Sequence, residues 1–342
     1  MCTRCCGWMC LFSFSLISGI AQPITLDVVV TDKSGKPVTG LQQQDFTLLD
    51  NKQPQKIVTF RAAEGVAATP DPPIEIVMLV DEVNTSFLNI AYARTALEKF
   101  LGQNGGQLAR PVSLVYLSDS GSTIGNASSR DGKALIADLS QRQTAMRTTS
   151  RRSQGFWGAS DELNLSLQAV EQLANYETSR PGRKLVVWIS PGWHLLSGPN
   201  MDLTSKQREE LFNTIVRISD ELREARITIY NVDPLGTADS FGSRALDYKM
   251  FTGAVKSAKQ VDIGDLALQV LATQTGGRVL NSNNDVAGEI ATAVADANSF
   301  YILTFDGLPG DGPNEYHALD VKIDKPKLVA RTRSGYYAQP AH

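Results

Sequence analysis

The pattern of hydrophobic and polar positions changes twice along the chain. Residues 24–61 contain short β-branched runs separated by turn clusters, with a strand predicted at 24–31 and a hairpin with arms at 45–50 and 55–60. From Ile74 onward, continuous apolar runs alternate with amphipathic segments. Residues 300–338 return to short β-type runs, including one predicted at 328–337. The order predicts a β segment, an α/β region and a second β segment.

The middle region alternates strands and helices. The runs 74–80 and 184–190 are apolar throughout, as is typical of strands buried on both faces of a sheet. The first predicted helix, 87–101, carries Leu88, Tyr92, Ala96 and Phe100 at helical spacing, which predicts that these side chains form its buried face. Further strands are predicted at 112–117, 227–232 and 278–280, and further helices at 133–139, 161–176, 205–225, 266–275 and 286–298. This alternation predicts an α/β fold with a doubly wound, mostly parallel sheet.

The β segments at the two ends are each too small to bury a core alone. We therefore expect the N-terminal segment, 22–68, to pair with the C-terminal segment, 300–342, in one small β-sandwich-like domain. The α/β domain, 69–299, is then inserted between them.

The N-terminal 21 residues have the layout of a signal peptide. One arginine precedes an apolar stretch, and Gly19-Ile20-Ala21 supplies small residues before a predicted cut at Gln22. Retention of this stretch as a membrane anchor is the alternative, and no later stretch is long enough to cross a bilayer. The sequence predicts secretion, or release into the periplasm or cell envelope.

Composition and charge exclude several function classes. All four cysteines lie within the first ten residues, so a disulfide framework, a thiolate zinc site and a cysteine nucleophile are excluded from the rest of the chain. With 33 basic and 36 acidic residues, the net charge of −3 argues against nucleic-acid binding. The chain contains no G-x-S-x-G, P-loop or G-x-G-x-x-G motif.

Candidate functional residues follow the two most apolar strands. In a doubly wound sheet, ligands bind at the carboxyl ends of the strands, where the strand order reverses. The loop that begins at Asp81 and the loop that begins at Ser190 are therefore expected to lie side by side.

These residues resemble those of the von Willebrand factor A domain, in which an apolar strand ends in an aspartate that opens a D-x-S-x-S loop. The chain is also similar to an exported bacterial family related to that domain, first grouped from acidobacteria. Its leading motif is matched from Val28-Val29-Val30-Thr31-Asp32 to Asp45-Phe46, and its closing motifs by Tyr316-His317 and by residues 331–337. The resemblance covers nearly all of the mature chain and implies a binding or adhesion function.

The resemblance also implies a metal-ion-dependent adhesion site, from which this sequence departs. Val83 and Thr85 replace the two serines of the motif, and Ser190-Pro191-Gly192 stands where an aspartate is usual. Because Mg²⁺ needs several oxygen ligands, Asp81, Thr85 and Ser190 form a degenerate site, and no cofactor is expected. Alternatively, Asp81 caps the helix that begins at Phe87 and bonds its own loop.

An enzymatic alternative comes from the same loop. Asp81-x-Val83-x-Thr85 also resembles the nucleophile loop of haloacid dehalogenase-like phosphatases, in which Asp81 would be the nucleophile. That chemistry needs a second acid to protonate the leaving oxygen, and Val83 stands at its position. We therefore expect a protein that is not an enzyme.

Loop aromatic and arginine residues are the candidates for partner binding. Arg151, Arg152, Trp157 and Trp193 fall in loops predicted at the carboxyl edge of the sheet, and tryptophan and arginine dominate the energetics of protein interfaces. The alternative is a solvated arginine loop and tryptophans that pack one loop on another. The hypothesis is recognition of a protein partner, or another ligand, at this edge.

Overall fold

The computed structural model describes residues 23–65, 73–125, 127–142, 155–193, 203–236 and 248–341, with side chains omitted for 155–157. The predicted signal peptide lies outside these ranges. The helices are α1 (Phe87–Leu101), α2 (Gly132–Gln141), α3 (Gly155–Thr178), α4 (Ser205–Glu224), α5 (Leu268–Gln274) and α6 (Val286–Ala295). The strands are β1 (Pro23–Thr31), β2 (Phe46–Asp50), β3 (Gln53–Gln55), β4 (Thr59–Glu64), β5 (Ile74–Asp81), β6 (Gln107–Ser118), β7 (Gly121–Ile124), β8 (Ser129–Asp131), β9 (Arg183–Ile189), β10 (Ile227–Val232), β11 (Val279–Leu280), β12 (Ser299–Asp306), β13 (Glu315–Ile323), β14 (Val329–Arg331) and β15 (Gly335–Ala338).

The central sheet has the strand order β11-β10-β9-β5-β6-β7, with β8 paired to β6. The pairs from β11 to β6 are parallel, whereas β7 and β8 run antiparallel to β6. The strand order reverses between β5 and β9, which is the switch point of a doubly wound sheet. The predicted fold class, a mostly parallel α/β sheet with flanking antiparallel β structure, is confirmed.

Alternate residues of the central strands serve two separate cores. Met78 and Val80 of β5 pack on the face covered by α1, α2 and α6. Val77 and Leu79 of the same strand pack on the face covered by α3, α4 and α5. Because both faces are covered, the strand is apolar at nearly every position, as the sequence pattern indicates.

The two ends of the chain build two antiparallel four-stranded sheets, in the orders β14-β1-β12-β4 and β15-β13-β2-β3. β1 pairs with β12 and β2 pairs with β13, so each sheet combines residues from both ends. Leu26 of β1, Leu303 of β12 and Val321 of β13 share the core between the sheets. The N- and C-terminal β segments thus form a sandwich.

The β14-β1-β12-β4 sheet is also covered on its other face. Val29 and Phe300 belong to the core cluster of the α/β region rather than to that of the sandwich. Asp27 of β1 forms an ion pair with Arg226, at the start of β10. The sheet is therefore a shared layer, with apolar and charged contacts joining the sandwich to the α/β region.

Two predicted strands are wrong in the same way. The predicted arm 55–60 is divided between β3 in one sheet and β4 in the other, and the predicted strand 328–337 is divided between β14 and β15. The hairpin turn itself is correct, since Asn51 and Lys52 have φ angles of 47° and 68°. The chain crosses between the sheets because each short strand has a different partner, and local alternation does not encode the partner.

Candidate functional site

The candidate site lies at the switch point between β5 and β9. Asp81 is the last residue of β5, and its loop runs to Ser86, where α1 follows. Trp188 and Ile189 close β9, and Ser190 begins the neighbouring loop. The predicted neighbourhood of the two loops is present, because Trp188 Nε1 donates a hydrogen bond of 3.0 Å to Asp81 Oδ2.

Both carboxylate oxygens of Asp81 accept hydrogen bonds from its own chain. Oδ1 accepts from the backbone N–H groups of Val83 at 3.0 Å and Asn84 at 2.9 Å. Oδ2 accepts from Asn84 Nδ2 at 2.8 Å as well as from Trp188. A further hydrogen bond comes from the side chain of Ser190. The aspartate therefore organises the loop around itself.

The carboxylate is closed to solvent. The side chain of Asp81 is 1% exposed, and this burial raises its pKa above the ordinary value, while the hydrogen bonds from Trp188, Asn84 and Ser190 act in the opposite direction. Asn84 extends the network, because its Nδ2 also donates to Ser166 Oγ at 2.9 Å. A buried carboxyl group with this many donors serves to hold structure in place.

The metal site implied by the resemblance does not fit these residues. Val83 is buried in the apolar cluster beneath α3 and α4, and it offers no oxygen. The oxygens of Asp81 already face N–H and O–H donors, and the buried oxygens of the loop without a hydrogen-bond partner among the described residues include Asn84 Oδ1 and Thr85 Oγ1, both neutral. The described residues also contain no group of three or more His, Cys, Asp or Glu side chains placed to hold a metal ion.

Of the alternative role predicted for Asp81, the hydrogen bonds to its own loop are present, but the capping of α1 is not. Its bonds to the backbone N–H groups of Val83 and Asn84 are those of an aspartate that folds its own turn. Helix α1, however, begins after Ser86, whose side chain makes no capping hydrogen bond. Asp81 therefore stabilises the loop and does not cap the helix.

Of the four predicted binding residues, the structure describes the side chain of Trp193 alone. Arg151, Arg152 and the side chain of Trp157 lie outside the described residues, but the backbone of Trp157 belongs to α3, so the loop predicted for it is wrong. Trp193 is 7% exposed, and its ring meets that of Trp188 edge-on with 5.4 Å between ring centroids. The position of Trp193 matches the packing alternative, since its ring lies in the core cluster beneath α3 and α4.

The structure shows an exposed apolar surface that includes two residues predicted to be buried, Leu88 and Tyr92. Phe87, Leu88 and Tyr92, here called the α1 patch, lie at the start of α1, and Leu88 is 78% exposed. Tyr92 donates a hydrogen bond of 2.7 Å to the carbonyl of Asn284. The predicted buried face was wrong for Leu88 and Tyr92, because Ile90, Ala93 and Leu97 form an overlapping helical stripe that faces the core.

Comparisons with known proteins give distant structural similarity alone. No protein-family model matches the sequence, and no curated protein matches it. An aerotolerance-related membrane protein from Bacteroides fragilis NCTC 9343 is similar at 11% identity and a TM-score of 0.38, covering 66% of this chain and 98% of that one.

Two other solved structures are similar to this chain at a comparable level. The SpRpn10 VWA domain is similar at 11% identity and a TM-score of 0.29, covering 64% of this chain and 94% of its own. The pilus adhesin SpaC from Lactobacillus rhamnosus GG is similar at 10% identity and a TM-score of 0.35, covering 91% of this chain and 43% of its own. The chain thus spans less than half of that adhesin.

Within the described ranges, no helix combines the length and the apolar character needed to cross a bilayer.

Proposed function

We propose that this chain is an exported binding protein with a von Willebrand A-like domain, and that it recognises a protein partner at the carboxyl edge of the central sheet. The observation that carries the proposal is the α1 patch. Phe87 and Leu88 follow directly after the 81–86 loop, so an exposed apolar surface begins where a doubly wound sheet places its ligands.

The chemistry of the patch favours a protein partner. Exposed aromatic and aliphatic residues that cluster are a feature of protein interaction sites, whereas scattered single ones are normal on any surface. Phe87, Leu88 and Tyr92 occupy consecutive turns of one helix, and the first two are adjacent in sequence. Arg151, Arg152 and Trp157 remain candidate contributors to this surface, with Trp193 holding its loop from within.

The burial and the hydrogen bonding of Asp81 argue against catalysis at this edge. A nucleophilic or general-acid carboxyl group must reach the substrate, and Asp81 is buried under donors from Asn84 and Trp188. The position of a second acid belongs to Val83, which is buried in an apolar cluster. Nothing in the described residues favours the phosphatase alternative.

The test is capture of envelope proteins on the immobilised mature chain, followed by affinity measurement for each captured protein. Leu88→Asp places a charge in the centre of the α1 patch, and we expect it to weaken binding by at least about tenfold, since burying an unpaired charge in an interface costs well over 1.4 kcal/mol. Val58→Asp is the matched control, because Val58 is an exposed valine of the β-sandwich, 51% exposed.

A partner that binds the wild type and Val58→Asp equally, and Leu88→Asp weakly, supports the proposal. Equal binding by all three proteins contradicts the assignment to this edge. Export is tested separately by N-terminal sequencing of the protein recovered from the envelope or medium, where we expect the mature chain to begin at Gln22.

A further inference from the structure

The segment between β14 and β15 lies against the end of α5. Arg331 Nε donates to the carbonyl of Gly276 at 2.9 Å, and the backbone N–H of Ser334 donates to the carbonyl of Gln274 at 2.9 Å. Gly276 has a φ angle of +87°, and a Cβ atom there would lie 2.6 Å from the carbonyl carbon of Thr332. A glycine is therefore required for this close approach, which fixes Thr332 and Arg333 at the boundary between the sandwich and the α/β region.

A small cavity opens beside this segment. Its volume of about 20 Å³ is sufficient for one guest the size of a water molecule. Three guanidinium groups line it together with one carboxylate and several threonines, and its lining includes Asp27, Arg223, Arg226, Thr332 and Arg333.

Two of the three arginines have carboxylate partners. Arg226 pairs with Asp27 of β1, and Arg223 pairs with Asp220 at 3.4 Å. Arg223 also lies 3.3 Å from Glu224, whose side chain is 59% exposed. The positive charges of Arg223 and Arg226 are thus balanced within the protein.

Arg333 has no such partner. The residue is 8% exposed, and within the described part of the chain its side chain makes no hydrogen bond and has no carboxylate within 4.0 Å. Burial and the nearby charge of Arg223 lower its pKa to about 10, which leaves the guanidinium charged at neutral pH. Asp220 and Asp27 act on the guanidinium through space, but neither lies within ion-pair distance of it. Buried donors without acceptors are unfavourable, so an acceptor is expected next to them.

The cavity is lined by buried donors that have no hydrogen-bond partner, and such donors favour an anionic ligand. Arg333 Nη1, Arg223 Nε and Thr332 Oγ1 are buried and have no partner among the described residues. The two guanidinium nitrogens are obligate donors and the hydroxyl can donate, so they suit an anion and oppose a cation. Asp27, Asp220 and Glu224 already match the three guanidinium groups in charge, so the guest is favoured by the hydrogen bonds that these three groups lack.

We propose that this cavity binds one small monovalent anion of halide size, held by Arg333, Arg223 and Thr332 between the β-sandwich and the α/β region. The volume selects a single small ion over an organic carboxylate. The bound anion joins the two parts of the molecule, because Arg333 follows β14 of the sandwich whereas Arg223 closes helix α4.

The test compares thermal unfolding of the mature chain in sodium chloride with that in sodium gluconate at equal ionic strength, because gluconate is too large for the cavity. For a ligand held at roughly ten times its dissociation constant, we expect chloride to raise Tm by about 2–4 °C relative to gluconate. Arg333→Gln should abolish the difference between the two salts. Arg61→Gln, at an exposed arginine of β4, should retain it.

A measurement on the wild-type protein does not depend on the folding of any variant. Chloride-35 nuclear magnetic resonance should show excess line width in the presence of the protein, and added bromide should reduce it by competition. Thr332→Val, which keeps the shape and removes the hydroxyl, should weaken the chloride effect on Tm. The same Tm in both salts, without excess line width, overturns the proposal and assigns the cavity to water.

Discussion

Two buried charged residues, Asp81 and Arg333, differ in how far the protein itself satisfies their hydrogen-bonding groups. Asp81 ends the central strand β5 and accepts hydrogen bonds from Asn84, Trp188 and the loop backbone. Arg333 lies between two strands of the sandwich and makes no hydrogen bond with the described residues. The carboxylate of Asp81 is thus saturated by donors of the protein, whereas the guanidinium of Arg333, at a boundary between layers, is not.

The difference shows why sheet position alone does not identify a working site. A buried charge is tolerable when donors or acceptors surround it, and the source of those groups decides whether a ligand is needed. Trp188 and Asn84 supply donors at Asp81, so the oxygens that a metal ion would need are already occupied. At Arg333 the protein supplies no comparable set, and an ion from solution gains affinity from the same physics.

The largest effect is expected on removal of the central carboxylate. Asp81→Ala leaves the donors of Val83, Asn84 and Trp188 without acceptors in a buried loop. Because each unsatisfied buried donor costs about 1–3 kcal/mol, we expect a loss of about 4–6 kcal/mol of unfolding free energy, measured by urea denaturation.

Asp81→Asn is the matched control for that experiment. It keeps the size of the side chain but turns one acceptor into a donor that faces other donors, so we expect a loss of about 2 kcal/mol. Equal stability of the wild type and Asp81→Ala would contradict the structural role of the carboxylate and reopen the site to a ligand.

The second effect concerns the tryptophan that the sequence assigned to partner binding. Trp193 packs edge-on against Trp188 and is buried. Trp193→Ala should therefore lower the unfolding free energy by about 3–4 kcal/mol, as large-to-small changes in a core do. Stability and partner affinity are measured on the same variant, and a large loss of affinity with unchanged stability would contradict the packing role and restore the direct contact.

The sequence predicted what depends on local pattern. Helix α1 and strand β10 have the predicted bounds, because a helical stripe or an apolar run sets them without reference to the rest of the chain. The neighbourhood of Asp81 and Ser190 followed from the switch-point rule.

Features that depend on partners distant in sequence could not be predicted. The donor role of Trp188 requires knowledge of which side chains point toward Asp81 across two strands. The burial of Arg333, within the closing motif at residues 331–337, depends on the break between β14 and β15, which is set by two different sheets. The exposure of Leu88 likewise depended on which of two overlapping helical stripes meets the core.

Asp265 is a third buried charged residue, intermediate between Asp81 and Arg333 in the number of hydrogen bonds that its side chain makes. Its expected effect on the free energy of unfolding is smaller than that of Asp81. Its carboxylate accepts one hydrogen bond, from the backbone N–H of Asp262 at 2.7 Å, and burial raises its pKa to about 6. A raised pKa means that the folded protein binds the proton more tightly than the unfolded chain does. The contribution to stability is therefore complete below about pH 4 and is lost as the pH rises through about 6.

Asp265→Asn imitates the protonated form and removes this dependence. We expect the variant to be about 1–2 kcal/mol more stable relative to the wild type at pH 8 than at pH 4, after allowance for partial solvent screening. Urea denaturation at the two pH values provides the measurement. An unchanged difference between the two proteins across this range would show that Asp265 ionises in the folded chain as it does in solution.

The smallest effect is expected from divalent metal. Because the oxygens of Asp81 are held by donors and Val83 supplies none, we predict a dissociation constant for Mg²⁺ or Mn²⁺ weaker than about 1 mM. At 1 mM metal the gain in unfolding free energy is then at most about 0.4 kcal/mol, a shift in Tm of about 1 °C or less. EDTA should leave partner binding unchanged for the same reason. A larger Mg²⁺-dependent rise in Tm that disappears in Asp81→Asn would show that the metal can displace Asn84 and Trp188 from the carboxylate, and the contrast with Arg333 would then fail.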